Sequence, residues 1–146
     1  MPLQIENHTG ILIKKAARLF EQVSNKDLEK LGVTYAQTIF LIRLWEKDGQ
    51  SQIELAKSAG LKQPTVVRML DRMERDALIK RVRNKEDRRV FNFYLTSKAK
   101  KICPKLENQA TMMIKISNES MPKKEVEKLN ELITSVIENL QQFLDK

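Results

Sequence analysis

Reactive and metal-binding side chains are scarce in this 146-residue chain. It has one cysteine, Cys103, and one histidine, His8, far apart in sequence. A structural zinc site built from Cys and His needs about four such ligands, so one chain cannot supply it. A Cys–His nucleophilic pair has no supporting motif. The four glycines, Gly10, Gly32, Gly49 and Gly60, stand apart, so neither a P-loop nor a dinucleotide-binding fingerprint can be written from them. No enzyme, no metal and no cofactor is expected on these grounds. The longest uninterrupted apolar run is the four residues Ile39–Ile42, far short of the roughly 20 that a membrane-spanning helix requires. Residues 1–30 lack the apolar segment of a secretion signal, because Lys14, Lys15 and Arg18 interrupt Ile11–Phe20. A single cysteine and no export signal point to a reducing cytoplasm.

What is abundant is positive charge, and it is localised. The net charge is +8, and residues 61–95 alone hold ten basic and five acidic groups. A local cationic field of this kind attracts a polyanion through screened electrostatics and counterion release. The hydrophobic fraction of 41% is enough to build a core. The length suits one compact domain with helical additions.

Hydrophobic spacing predicts a helix over 8–30, with Gly32 as its stop. Thr34 and Gln37 have the spacing of a reciprocal capping pair at the start of a second helix. That helix carries Ile39, Phe40, Leu41, Ile42, Leu44 and Trp45, apolar nearly all round, and is expected to be central and buried. Asp48-Gly49 marks a turn. Ser51 and Glu54 repeat the capping signal before a short helix, Gln52–Ser58, with Ile53, Leu55 and Ala56 expected to face inward. Gly60 ends it. A fourth helix starts near Lys62–Pro64, where proline fits the first turn, and runs to about Asp76.

From Ile79 the pattern becomes β-like. Ile79–Arg83 and Val90–Leu95 flank a charged loop, Asn84–Arg89, and read as an antiparallel hairpin that must lean on the helices. Thr96 can cap a fifth helix, Ser97–Ser117. Pro122 opens a sixth, where Leu129, Ile133, Val136, Leu140 and Phe143 step by 4, 3, 4, 3 as a heptad seam.

Helix, helix, helix, hairpin is the order of a winged helix-turn-helix. The fold class expected is mainly α with a small antiparallel β wing, plus a helical dimerisation region. In the helix 62–76, Val66, Leu70, Met73 and Ala77 share one face, the expected core side. Pro64, Thr65, Arg68, Asp71, Arg72 and Arg75 lie opposite. Arg68 can give two hydrogen bonds to a guanine or clamp a phosphate. Gln63 and Thr65 are short polar groups at the helix start, suited to base or phosphate contacts. An ordinary solvated helix face has the same pattern, and the hairpin tips the balance. It carries Lys80, Arg81, Arg83, Lys85, Arg88 and Arg89, a loop suited to an adjacent minor groove. Phosphate would repel Asp87, so its expected role is to hydrogen-bond Arg89 or Arg88 and fix its direction.

The run Ser51-Gln52-Ile53-Glu54-Leu55-Ala56, then Gln63–Glu74, Leu78-Ile79, Glu86-Asp87-Arg88-Arg89 and Leu95-Thr96 resembles the MarR family of bacterial winged-helix regulators, its SlyA-like branch most of all. Element order matches over nearly the whole chain, and the specific motifs lie between Ser51 and Ala99. The resemblance implies a homodimer on pseudo-palindromic promoter DNA. It also implies repression or, in some members, activation, and a small, often aromatic, anionic effector that weakens DNA binding. It puts the helix arginine on Arg68, the wing arginine on Arg89 and the orienting acid on Asp87, with Arg81 and Arg88 as phosphate or groove contacts. The residues expected to meet DNA are thus Gln63, Pro64, Thr65, Arg68, Arg72, Arg81, Arg88 and Arg89.

The implied organisation is a dimerisation helix over 1–33, a DNA-binding lobe over 34–96 and dimerisation helices over 97–146. The large terminal seams agree with it, since an open apolar seam needs a partner. An effector pocket is expected between the second and fifth helices, near Tyr35 and Trp45. Lys100, Lys101 and Lys105 stand close enough in sequence to lower the Cys103 pKa, although a lone helix cysteine is usually inert. The place of action is the bacterial cytoplasm, at the nucleoid. Two other classes fit the same residues: a basic nucleic-acid binder without sequence preference, and a winged-helix module that contacts an acidic protein.

Overall fold

The computed structural model describes residues 4–146. A short 3₁₀ turn, Ile5–Asn7, leads into α1 (Thr9–Leu31), followed by α2 (Tyr35–Glu46), β1 (Gln50–Ser51), α3 (Gln52–Ala59) and α4 (Gln63–Arg75). Then come β2 (Ile79–Arg83), β3 (Phe91–Leu95), α5 (Ser97–Ser117) and α6 (Lys123–Leu144). The residues group into two units, one ending at Thr111 and one spanning Met112–Lys146.

Local signals account for the helix starts. Both capping boxes form: Thr34 Oγ1 accepts from the Gln37 amide while Gln37 Oε1 accepts from the Thr34 amide, and Ser51 with Glu54 does the same for α3. Thr96 Oγ1 accepts from the Ala99 amide at 3.2 Å.

Three helix ends share one geometry. After α1, α3 and α4 a residue turns left-handed, and the next amide bonds back to the carbonyl five residues earlier: Val33 to Leu28, Leu61 to Ala56, Leu78 to Met73. This is the Schellman arrangement. The left-handed residue is Gly32 or Gly60 in the first two, but Ala77, at φ 59°, in the third. Ala77 therefore leaves the helical face on which its spacing put it, and it is exposed. Val66, Leu70 and Met73 make the buried face of α4 as expected.

The sheet has three strands in the order β1-β3-β2, all antiparallel. The expected two-stranded hairpin is thus extended by β1, a two-residue strand too short to leave a periodic signal. The loop of the hairpin runs over 84–90, because Val90 stays outside β3 and its carbonyl accepts from the Asn84 amide at 2.8 Å. Gly49, at φ 79°, lets the chain pass under the Tyr94 ring, where a Cβ would come within 2.9 Å.

The core of the first unit gathers Phe40, Leu41 and Leu44 of α2, Leu55 of α3, Leu70 and Met73 of α4 and Phe93 of β3. Leu28 of α1 and Ala99, Cys103 and Leu106 of α5 complete it. Two expectations are corrected. Helix α2 is buried on one side only, leaving Tyr35, Ile39 and Trp45 exposed. Ile53 points to solvent at 67% exposure, while Leu55 and Ala56 face inward. Ile53 stands in the first turn of α3, ahead of the stretch that packs on the core.

Apolar surface remains open at both ends of the chain. In α1, Ile11, Leu12, Leu19 and Val23 are exposed. In α6, which begins after Pro122, no side chain is buried, and Leu140, Phe143 and Leu144 are more than 60% exposed.

Candidate nucleic-acid interface

Helix α4 presents its polar face to solvent. Gln63, Pro64, Arg68 and Arg72 are exposed and Thr65 is half-buried. Among the described residues, Arg68, Arg72 and Arg88 have no carboxylate within ion-pair distance. Their cations are uncompensated, which leaves them available for a phosphate or base contact. Pro64, which has no N–H, occupies the first turn, and the Thr65 and Val66 amides both bond to the Lys62 carbonyl at 3.1 Å. Gln63 is not independent: its Oε1 accepts from Gln52 Nε2 at 2.8 Å, which links the starts of α3 and α4.

At the wing tip, Asp87 does what its position predicts. Its Oδ1 accepts from the Arg89 amide and from Arg89 Nε, both at 3.1 Å, and Oδ2 accepts from Nη2 at 3.3 Å. The Arg89 side chain nevertheless stays 91% exposed. The Arg89 guanidinium, and next its backbone amide, hold the Asp87 carboxyl below the usual aspartate value. Asn84 shapes the loop from below. Its Oδ1 accepts from the Glu86 and Asp87 amides at 2.8 and 3.0 Å, the Asx-turn pattern. Its Nδ2 donates to Asn92 Oδ1, and Asn92 Nδ2 donates to the Gly49 carbonyl. Sequence reading missed this network, although asparagine at the first loop position is a turn signal.

Arg81, which the resemblance gives as a phosphate or groove contact, is engaged within the chain. Its Nη2 donates to Asp71 Oδ1 at 2.6 Å, and its Nε lies 3.7 Å from Glu74 Oε2. The side chain is 31% exposed and lies against Phe91 and Phe93. Strand alternation carried this signal: Ile79 and Arg81 share a face, and Ile79 is buried. Arg83, counted from the sequence only among the hairpin's cations, is also engaged within the chain. It lies over Phe91 and its Nη1 donates to the Arg88 carbonyl at 2.6 Å.

The family model for the MarR family matches residues 33–91. The chain is 33% identical to the HTH-type transcriptional regulator MgrA of Staphylococcus aureus over 123 residues, 84% of this chain and 82% of that one. The chain belongs to the MarR family. Solved structures share the fold of this MarR-family chain. A crystal structure of the transcriptional regulator SlyA superposes with a TM-score of 0.83 at 22% identity, covering 89% of this chain and 92% of that one. The MepR–DNA complex of S. aureus gives 0.82 at 24% identity, over 92% and 98%. The MarR-family match takes in α2 to the start of β3, the helices and wing described above.

Other sites are less developed. A depression in the first unit is lined by Asn25, Glu29, Val33, Thr34, Gln37 and Asp76. It lies at the α1–α2 turn rather than near Trp45, whose Nε1 donates to Glu107 Oε1 at 2.9 Å. Cys103 is buried, and burial, then Glu107 and Asp48, push its thiol up to about 11. That is opposite to the lowering that the neighbouring lysines would give, and it leaves the thiol protonated at neutral pH. Among the described residues no three metal-ligating side chains come together, and no helix is long and apolar enough to cross a membrane.

Proposed function

We propose that this chain regulates transcription as a homodimer that reads an operator through two α4 helices and two wings. Residues 34–96 form the DNA-binding lobe, and residues 1–33 and 97–146 supply the dimer contacts. Its role is binding rather than catalysis, and it works in the cytoplasm at the bacterial nucleoid. The carrying observation is the pairing of an α4 face with free arginines and a wing arginine held in one direction by Asp87. Arg68 enters the major groove, where Gln63, Pro64, Thr65 and Arg72 line its path. Arg89 enters the neighbouring minor groove, and Arg88 meets phosphate. The exposed apolar side chains of α1 and α6 are the surface a second copy covers. Repression is the default outcome of occupying a promoter, and a small anionic or aromatic effector relieves it.

Selection of bound genomic fragments tests this reading. The expected product is a pseudo-palindrome with half-sites about 34–36 Å apart. The expected preference over random duplex is about 10³ or more at physiological salt. Equal binding to operator and random duplex overturns it in favour of a basic module without sequence preference. Sedimentation as a monomer at micromolar concentration overturns the dimer.

A further inference from the structure

We propose that Arg81 is a positioning residue that locks the wing to the recognition helix α4, not a group that touches DNA. For its binding readouts this rests on the DNA-reading function proposed above.

The argument begins with strand parity. The β2–β3 register sets Ile79 opposite Leu95, Arg81 opposite Phe93 and Arg83 opposite Phe91. Alternate residues share a face, so the face that is buried at Ile79 continues outward as Arg81 and Arg83. There the cations alternate with rings. The Arg81 guanidinium carbon lies 5.5 Å from the Phe93 centroid and 5.2 Å from that of Phe91, and the Arg83 carbon lies 4.7 Å from Phe91. These are cation–π distances.

Both ends of this ladder are tied down. At the inner end Arg81 reaches Asp71 and Glu74, neighbours on the surface of α4. At the outer end Arg83 holds the Arg88 carbonyl, between Asp87 and Arg89. A continuous set of contacts therefore runs from the helix that carries Arg68 to the loop that carries Arg89.

Charge balance argues against a phosphate contact at Arg81. Withdrawing it would leave Asp71 and Glu74 as uncompensated like charges, three residues apart, on a helix that approaches a polyanion. Its Nε is buried without a hydrogen-bond acceptor, and the side chain is a third as exposed as that of Arg89. What the ladder supplies is rigidity. Two groove contacts on one stiff body are made together, whereas on hinged bodies the second must also order the hinge.

The test uses the full-length protein with Arg81→Gln, Asp71→Asn and Arg89→Ala, titrated with operator and random duplex over a range of salt. Arg81→Gln is expected to weaken operator binding about tenfold, within the range of couplings between contacting residues, and to leave the salt dependence unchanged. Asp71→Asn is expected to weaken operator binding although it removes a negative charge. The double variant should bind no more weakly than the worse single one. In the Arg81→Gln background, Arg89→Ala should cost much less than it does alone.

A salt slope reduced by about 0.9, the signature of one lost phosphate contact, overturns the proposal. So does tighter binding of all duplexes by Asp71→Asn, or simple additivity of the two changes. Should Arg81→Gln fail to fold, Asp71→Asn decides alone, since that side chain is half exposed. Hydrogen exchange on the DNA-free protein separates this inference from the functional reading. Faster exchange at Val82 and Asn84 in either variant, with Leu44 unchanged, supports the lock even if no operator exists, and unchanged wing amides overturn it.

Discussion

Two aspartate–arginine pairs serve the same wing, and they differ in what lies around them. Asp71 and Arg81 join a helix to a strand, with two aromatic rings beside the guanidinium. Asp87 and Arg89 are two residues apart in one loop, and the guanidinium stands in solvent. Exposed pairs contribute little to stability, about 0–1 kcal/mol. The loop pair therefore gains its worth by limiting where a free cation points. The inner pair gains its worth by joining two elements. Identical chemistry is assigned to aim or to architecture by burial alone.

The comparison can be broken in four places, from the largest expected effect to the smallest. Arg89→Ala should cost about 1–3 kcal/mol of operator affinity and leave the thermal midpoint essentially unchanged, as fluorescence anisotropy and a melting curve would show. Arg81→Ala should also weaken operator binding, but unlike Arg89→Ala it should move the melting curve, by about 1–2 kcal/mol, because cation–π contact and charge compensation are lost together. If the two variants exchanged these phenotypes, the distinction between the pairs would be lost.

Asp87→Ala should weaken operator binding less than Arg89→Ala does and leave the melting curve essentially unchanged, since the pair stands in solvent. Its pH dependence has a definite sign. A carboxyl with a lowered folded-state pKa contributes fully above its unfolded value, and the contribution fades as pH falls through the folded value. Asp87 should thus add no pH dependence to binding between about pH 5 and 8, which titrations across that range would check. Ala77→Gly should raise stability by about 0.5–1 kcal/mol, by relieving a left-handed alanine. An unchanged melting curve would mean that the added chain entropy cancels the relief.

Much of the fold was legible because its signals are local. The capping pairs Thr34/Gln37 and Ser51/Glu54 sit three residues apart and form as written. The β-branched and aromatic residues of β2 and β3 alternate over enough positions to mark strands. Asp87 and Arg89 need only each other. The missed features depend on distant partners or on an atypical residue. Strand β1 exists because Gln50 meets Phe93, which no window around Gln50 contains. The end of α4 near Asp76 was legible, but Ala77 was counted on the core face because alanine takes the place that glycine holds after α1 and α3. The ion pairs of Arg81 with Asp71 and Glu74 were not read because they join a strand to a helix. The α6 seam was legible as a pattern, and the fact that none of its side chains is buried is the observation that gives the dimer reading its weight.

The sheet order leaves β2 at an edge, with an unpaired row of backbone donors and acceptors. Such a row invites another strand to zip on, and proteins commonly guard against this with cationic side chains. Here the guard is Lys80 and Arg83. Their mutual repulsion opposes the fusing of neighbouring sheets. The same positive charge that draws the protein to a polyanion thus also protects it from self-association through its wings.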